Sequence, residues 1–311
     1  MRAVALMAIA FSIAAAAYFI ARDRPTPPAQ IAARQAADSL TRVQLAAIER
    51  ADFTAWAAPL RPDGIVIGTR LRDFNVGAAD AAQTMRDVIP LWVDCSRGRV
   101  MTGATRRGRL AWAVAPFDVV PSVDGPGLSF MHSVAWMLQD GEWRVLVEHD
   151  AMLPEWNPLQ LLATGRRFSS PPELPEPQGR QARELARRFE RWLPDLFGRR
   201  VDRDAIAVGP VYGAVASGDS AVKAMFADLA TRLGPPRLVP HGLAAWSPRG
   251  RGVGWVAANL EFAPPDWGGA TLPLRFTGVY RERDEDNWSL VLAHLSVGQP
   301  GDQPLAAKAR P

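Results

Sequence analysis

Residues Ser129–Met152 read SFMHSVAWMLQDGEWRVLVEHDAM. Two apolar, β-branched and aromatic runs flank Gln139-Asp140-Gly141-Glu142, the composition of a tight two-residue hairpin turn. The stretch Arg275–Ser296, RFTGVYRERDEDNWSLVLAHLS, repeats the object: strand, polar turn, Trp, strand, His. If the hairpins are copies, their surroundings should match at a nearly constant offset. Trp143 and Trp288, and His149 and His294, are 145 residues apart; Trp112 and Trp255 are 143 apart. Gly68 and Gly209 are 141 apart, and Asp80 and Asp219 are 139 apart. Five landmarks in the same order, with a slowly drifting offset, describe a tandem duplication with small loop insertions.

Outward from the hairpins, each half reads as helices followed by antiparallel strands, an α+β order. In the first half, Leu40, Val43, Ala47 and Ala51 keep helical spacing, which predicts one long helix ending near Ala58-Pro59. A short strand at Gly64–Thr69 and a helix over Ala79–Ile89, stopped by Pro90, come next. Strands follow near Leu91–Asp94, Leu110–Val119, Ser129–Leu138 and Trp143–Asp150. In the second half, Leu185, Phe189, Trp192 and Leu193 mark an amphipathic helix over Arg180–Leu193. A helix capped by Ser217 or Asp219 and four strands from Arg237 to Val297 complete it. The Pro-rich Ser169–Gln178, SSPPELPEPQ, reads as the linker. The expected division is 1–29 anchor or signal plus spacer, 30–155 first domain, 156–179 linker, 180–299 second domain, and 300–311 a disordered tail.

Residues Ala3–Ala21 are apolar except for Ser12, and Arg2 and Arg22 flank them. Nineteen such residues come close to the length of a membrane-spanning helix. An uncleaved single-pass anchor is expected, with a cleaved signal peptide as the alternative, since Ala15-x-Ala17 could serve as a cleavage site. Either reading exports the rest of the chain, which places the soluble part in the periplasm or outside the cell. The Arg24–Ala29 segment, RPTPPA, would be a stiff spacer off the membrane.

The net charge of +4 is small for 311 residues, and the Arg clusters at Arg106–Arg109 and Arg199–Arg200 lack interleaved stacking aromatics, so no nucleic-acid partner is expected. The single cysteine, Cys95, excludes an intramolecular disulfide. The chain has no CxxC, HExxH, Gly-rich phosphate loop or nucleophile elbow, and no cofactor or metal is expected.

Each half resembles the SnoaL-like branch of the nuclear-transport-factor-2-like superfamily. The resemblance rests on the helix–helix–strand order, a Gly followed by a strand with a central Trp (Gly108–Val114 and Gly252–Val256), and a last hairpin ending Trp143-x5-His149 and Trp288-x5-His294. It covers about Gln30–Pro154 and Arg180–Gly298. It implies two tandem cones, each a curved antiparallel sheet wrapped round helices with a cavity at the wide end. Superfamily members include isomerases, cyclases, dehydratases, ligand sensors and structural modules, so the fold alone does not choose an activity.

Strand alternation puts Trp143, Val145, Val147 and His149 on one face, and Arg144, Leu146, Glu148 and Asp150 on the other. Phe130, His132, Val134 and Trp136 share a face of the preceding strand. His132 beside Trp136 could polarise a carbonyl or move a proton; a hydrogen-bonded structural histidine is the alternative. His149 and His294, matched in both copies, suggest a shared structural role. Glu148-His149-Asp150 looks metal-like, but neighbours on a strand point to opposite faces, which argues against one shared ion. In the second half, Arg275 paired with Glu261 would form a polar floor in the cone, or an ordinary cross-strand ion pair. Trp255 would supply apolar wall, and Tyr280 a hydroxyl. The expected ligand-binding set is therefore His132, Trp136, Trp255, Glu261, Arg275 and Tyr280, with no catalytic set assembled.

These features point to a membrane-anchored, non-enzymatic module that binds a small apolar molecule or a protein. The alternatives are an envelope scaffold subunit or an isomerase or cyclase acting on an apolar carbonyl compound. The two domains are expected to pack sheet to sheet as an intramolecular pseudo-dimer, with pairing as a homodimer the alternative.

Overall fold

The computed structural model describes residues 26–68, 73–88, 94–120, 127–152, 173–195, 200–211, 213–248, 250, 252–263, 271–284 and 287–297. The expected membrane run, most of the linker and the C-terminal tail lie outside them. Among the described residues no helix is long and apolar enough to cross a membrane.

The first half starts with α1 (Pro28–Glu49) and α2 (Phe53–Ala57), then β1 (Leu60–Ile67), β2 (Phe74–Val76) and α3 (Gly77–Val88). Strands β3 (Asp94–Arg97), β4 (Met101–Ala104), β5 (Leu110–Val120), β6 (Leu128–Gln139) and β7 (Glu142–Met152) follow. The second half repeats this with α4 (Arg180–Trp192), β8 (Val201–Val208), β9 (Val215–Ser217), α5 (Asp219–Leu233), β10 (Pro236–Trp246), β11 (Val253–Phe262), β12 (Leu272–Asp284) and β13 (Asn287–Val297). The first sheet runs β2-β1-β7-β6-β5-β3 with β4 also on β5, and the second runs β9-β8-β13-β12-β11-β10. The two orders match, with β10 standing where the first half has β3 and β4. In both sheets the first strand is parallel to the last (β1 with β7, β8 with β13), and the other pairs are antiparallel.

The expected single first helix is broken. Ala51 takes a positive φ of 52°, and Asp52 caps a new helix by accepting from the Ala55 N–H at 2.9 Å. This break turns Trp56 inward, where it is fully buried. Helix α5 is capped at Gly218 with no side-chain bond, so neither Ser217 nor Asp219 plays the expected role.

Each sheet curls round its own helices. Ala37, Trp56, Phe117, Phe130, Val134 and Trp136 fill the first cone; Leu185, Phe189, Phe226, Phe262, Phe276 and Tyr280 fill the second. A third core lies between the halves, where Ile65, Trp112 and Met131 of one sheet meet Ile206, Trp255 and Val291 of the other. The strands are thus buried on both faces. This explains why LAWAVAPF and VGWVAANLEF read as unbroken apolar runs rather than alternating ones.

His149 and His294 stack between the sheets with ring centroids 3.9 Å apart. His149 Nδ1 lies 2.9 Å from Thr277 Oγ1, and His294 Nδ1 lies 2.8 Å from Ser133 Oγ. Ser133 is the cross-strand neighbour of His149, and Thr277 that of His294, so the contacts are related by an approximate two-fold axis. His149 Nε2 also meets Ser296 Oγ at 2.9 Å. Both rings are held neutral. Burial, then His294 and Arg275, lower the pKa of His149; burial, then His132, lower that of His294 to about 3. Away from this centre, Arg34 pairs with Asp204 at 3.0 Å, and Trp112 Nε1 donates to Asp204 O at 3.1 Å.

A candidate acid–base site in the first cone

The turn at Asp140-Gly141 pairs Gln139 with Glu142 and sets the register as far as Trp136 with Val145. Continued without interruption, that register would put His132 opposite His149. A bulge at Leu146 inserts one residue, so Ala135 pairs with Val147 and His132 with Asp150. The bulge also changes which side chains share a face. Val145 belongs to the first cone, whereas Leu146 and Val147 both belong to the core between the sheets. The expected face Trp143–Val145–Val147–His149 is therefore split at the bulge: His149 faces the other half, and Glu148 and Asp150 enter the cone beside His132.

His132 Nδ1 lies 2.7 Å from Asp150 Oδ1 and 3.7 Å from Glu148 Oε1. Glu148 accepts from Gln44 Nε2 at 2.6 Å and from Trp56 Nε1 at 3.0 Å. Next to this set, Trp136 Nε1 donates to Thr41 Oγ1 at 3.2 Å. His132 and Glu148 are fully buried, Gln44 is 2% exposed and Asp150 7%. Burial, followed by the charge of Asp150 and a hydrogen bond between the two carboxyl groups, pushes the Glu148 pKa well above the usual carboxylate range; Trp56 and Gln44 oppose this. The raised pKa favours the protonated form of Glu148, an acid with a proton to give. In the tautomer whose Nδ1–H donates to Asp150, Nε2 would carry the lone pair. That nitrogen and Gln44 Oε1 are buried without a hydrogen-bond partner among the described residues. A neutral acid, an oriented imidazole and an unpartnered basic nitrogen are the components of general acid–base chemistry.

The His132, Glu148 and Asp150 donor atoms all lie within 4.8 Å of one another, a spacing that a divalent cation could accept. His149 points to the opposite face and takes no part in this cluster; the nitrogen donor is His132, which comes in from the neighbouring strand. The 2.7 Å His132–Asp150 contact is accounted for by a proton.

The six expected ligand contacts do not form one site. His132 and Trp136 are in the first cone, and Tyr280 is in the second. Trp255 is part of the core between the sheets. Arg275 does not pair with Glu261 in a cone: it is opposite Asn259, faces the first half, and donates from Nη1 to Asp73 O at 3.0 Å and to Gly68 O at 3.3 Å. Burial lowers its pKa to about 10, partly offset by Asp73. Glu261 is half-buried near the end of β11, opposite Pro273. Gln44 and Trp56 were not among the expected site residues, and Glu148 and Asp150, weighed only as metal ligands with His149, meet His132 instead. Glu148 and Asp150 sharing a face with i, i+2 spacing was the available signal.

The second cone lacks this chemistry. Phe276 and Leu295 form the cross-strand pair that His132 and Asp150 form in the first half, and Ala293 stands where Glu148 does. Phe276 stacks on Phe189 of α4 at 5.2 Å.

No protein-family model and no curated protein sequence matches the chain. Solved structures do. An NTF2-like protein of unknown function from Pseudomonas putida is 19% identical over 40% of this chain and 88% of its own, with a TM-score of 0.36. A ketosteroid isomerase-like protein from Erwinia carotovora matches 39% of this chain and 96% of its own at 16% identity, with a TM-score of 0.34. A putative polyketide cyclase from Xanthomonas campestris matches 42% and 97% at 16% identity, with a TM-score of 0.32. Each match spans about one half of the tandem. At these identities the likeness concerns the fold and not the activity.

Proposed function

We propose that the first cone carries out general acid–base chemistry on a small, neutral, mostly apolar molecule, and that the second cone supports it structurally. The observation that carries this reading is the buried His132 Nε2, which has no hydrogen-bond partner among the described residues, while Asp150 lies on Nδ1 and a raised-pKa Glu148 is beside it. A purely packed core gains nothing from two adjacent buried carboxyl groups, because each costs desolvation that Phe276 and Leu295 avoid at the equivalent positions. The same set of groups favours an isomerase- or lyase-type enzyme over a binding module. The sheet faces on which an envelope scaffold would assemble are buried against each other within the chain. The apolar run at residues 3–21 supports a membrane tether that places both cones on the exported side.

The test uses 5-nitrobenzisoxazole, a neutral aromatic probe of buried bases. His132 Nε2 takes its C–H proton, the bond pair forms the nitrile, the N–O bond breaks, and Glu148 can protonate the phenolate. The full chain should accelerate this elimination above imidazole buffer, and His132→Ala should lower the rate by about a hundredfold or more. Equal rates for wild type and His132→Ala would sink the proposal.

A further inference from the structure

The first turn of α1 packs against the turn between β4 and β5. Gln30 Nε2 donates to Ala104 O at 2.7 Å, and a Cβ on Gly108, whose φ is +64°, would lie 2.4 Å from Ala29 O. The turn closes through Gly108 N–H to Thr105 O and Thr105 N–H to Leu110 O, both 2.9 Å. Gly108 is thus the buried contact, and Arg106, Arg107 and Arg109 stand exposed around it. Other exposed arginines lie beside a carboxylate: Arg42 pairs with Asp38, Arg97 with Glu49 and Arg144 with Glu142. Among the described residues these three make no ion pair, and neither Thr105–Arg109 nor the first turn of α1 contains an acid. Asp204, which reaches the start of α1 from the second half, is matched by Gln30 at 2.6 Å and Arg34 at 3.0 Å. Ile31, on the same turn of α1, is 45% exposed, which is rare here for a large apolar side chain.

This junction is also where the chain arrives from the apolar run at residues 3–21. Pro25, Pro27 and Pro28 lie between Ala21 and Ala29. At about 3.1 Å per residue in the extended proline conformation, that stretch spans about 25 Å. The β4–β5 turn is therefore held close to whatever surface the run enters. We propose that Arg106, Arg107 and Arg109, with Ile31 on the adjoining turn of α1, form a membrane-docking face for the phosphate groups of anionic lipids in the bilayer that holds residues 3–21. The inference rests on the tether reading of those residues. Guanidinium forks match phosphate oxygens, and each basic side chain at an anionic surface strengthens binding about fivefold. Three such contacts are weak for a free protein but sufficient for one whose tether keeps the local lipid concentration high. Docking fixes the tandem with the start of α1 towards the bilayer, so that it stands on the surface instead of swinging about the spacer. A nucleic acid suits the turn less well, because Thr105–Arg109 has no aromatic ring on which a base could stack.

The test places the full chain in nanodiscs of phosphatidylcholine, or of phosphatidylcholine mixed with phosphatidylglycerol, and reads amide hydrogen exchange. Exchange in residues 28–32 and 104–110 should slow about threefold or more in the anionic discs, and high salt should remove the difference. The combined variant Arg106→Gln, Arg107→Gln and Arg109→Gln should lose the protection at residues 28–32 and keep the wild-type melting temperature, because the replaced side chains are exposed. Equal exchange of the wild type in the two kinds of disc would overturn the proposal, and so would protection that survives in the variant. An oligonucleotide that protects the same residues as strongly as the anionic discs would also overturn it, in favour of a nucleic-acid partner. Loss of the chain from neutral discs on gel filtration would sink the tether and not the patch. The patch is then read by sedimentation with phosphatidylglycerol vesicles, where the absence of salt-sensitive binding overturns it.

Discussion

Acidification should loosen the seam between the halves, and His294 is the group to perturb. Its imidazole is fully buried, stacked on His149 and bonded through Nδ1 to Ser133. Arg275 and His132 are the charged or titratable groups that act on this pair, and both disfavour protonation. Burial and these neighbours depress the folded pKa of His294 to about 3, whereas an unfolded histidine titrates near 6.5. A histidine with a depressed folded pKa binds more protons in the unfolded state, so its contribution to stability is full above about pH 6.5 and is lost as pH falls towards 3. At about 1.4 kcal/mol per pH unit, His294 alone accounts for about 2 kcal/mol by pH 5 and about 4 kcal/mol by pH 3. His149 acts in the same direction. Glu148 acts oppositely, because its raised pKa makes the folded state relatively more stable as pH falls. The assay must therefore compare variants and not read wild type alone. Urea unfolding of the full chain and of His294→Asn, which keeps a polar group near the Nδ1 position, should be measured at pH 7 and pH 5. Wild type should lose about 2 kcal/mol more than the variant over that interval. Equal losses would refute the claim that a neutral, buried His294 sits at the seam.

Two further perturbations address the same interface. At Gly103, a Cβ would lie 2.2 Å from Trp112 Nε1 and 2.7 Å from the Asp204 carbonyl oxygen, so Gly103→Ala should destabilise the chain by about 1–3 kcal/mol in chemical denaturation. A variant at wild-type stability would mean that Trp112 is not held against the second half. Residues 173–297 expressed alone would bare Ile206, Trp255, Val279 and Val291 on one sheet face. That fragment should self-associate or precipitate in sedimentation experiments, and a well-behaved monomer would argue against an obligatory seam.

The duplication, the order of the elements and most strand positions were legible in sequence because they are local. Trp143-x5-His149 and Trp288-x5-His294 are short patterns, and the strands from Leu110 to Met152 need only turns and apolar runs to be seen. The break at Ala51 was less visible, since Ala-rich sequence propagates a helix and the capping signal rests on Asp52 alone. The site depended on a bulge within Val145-Leu146-Val147. Three apolar residues in a row suit either face when both faces are buried, so their pattern cannot show where parity changes. That one inserted residue brings Asp150 opposite His132 and turns His149 outward. The roles of Arg275 and His294 were out of reach for a second reason. Their partners Asp73, Gly68 and Ser133 lie in the other half of the chain, more than 160 residues away. The sequence by itself determined two copies of an α+β unit with apolar sheets. Which polar residues meet was decided only by the tertiary structure, because side-chain pairing depends on register and on the packing of one sheet against the other, and neither leaves a periodic trace in the chain.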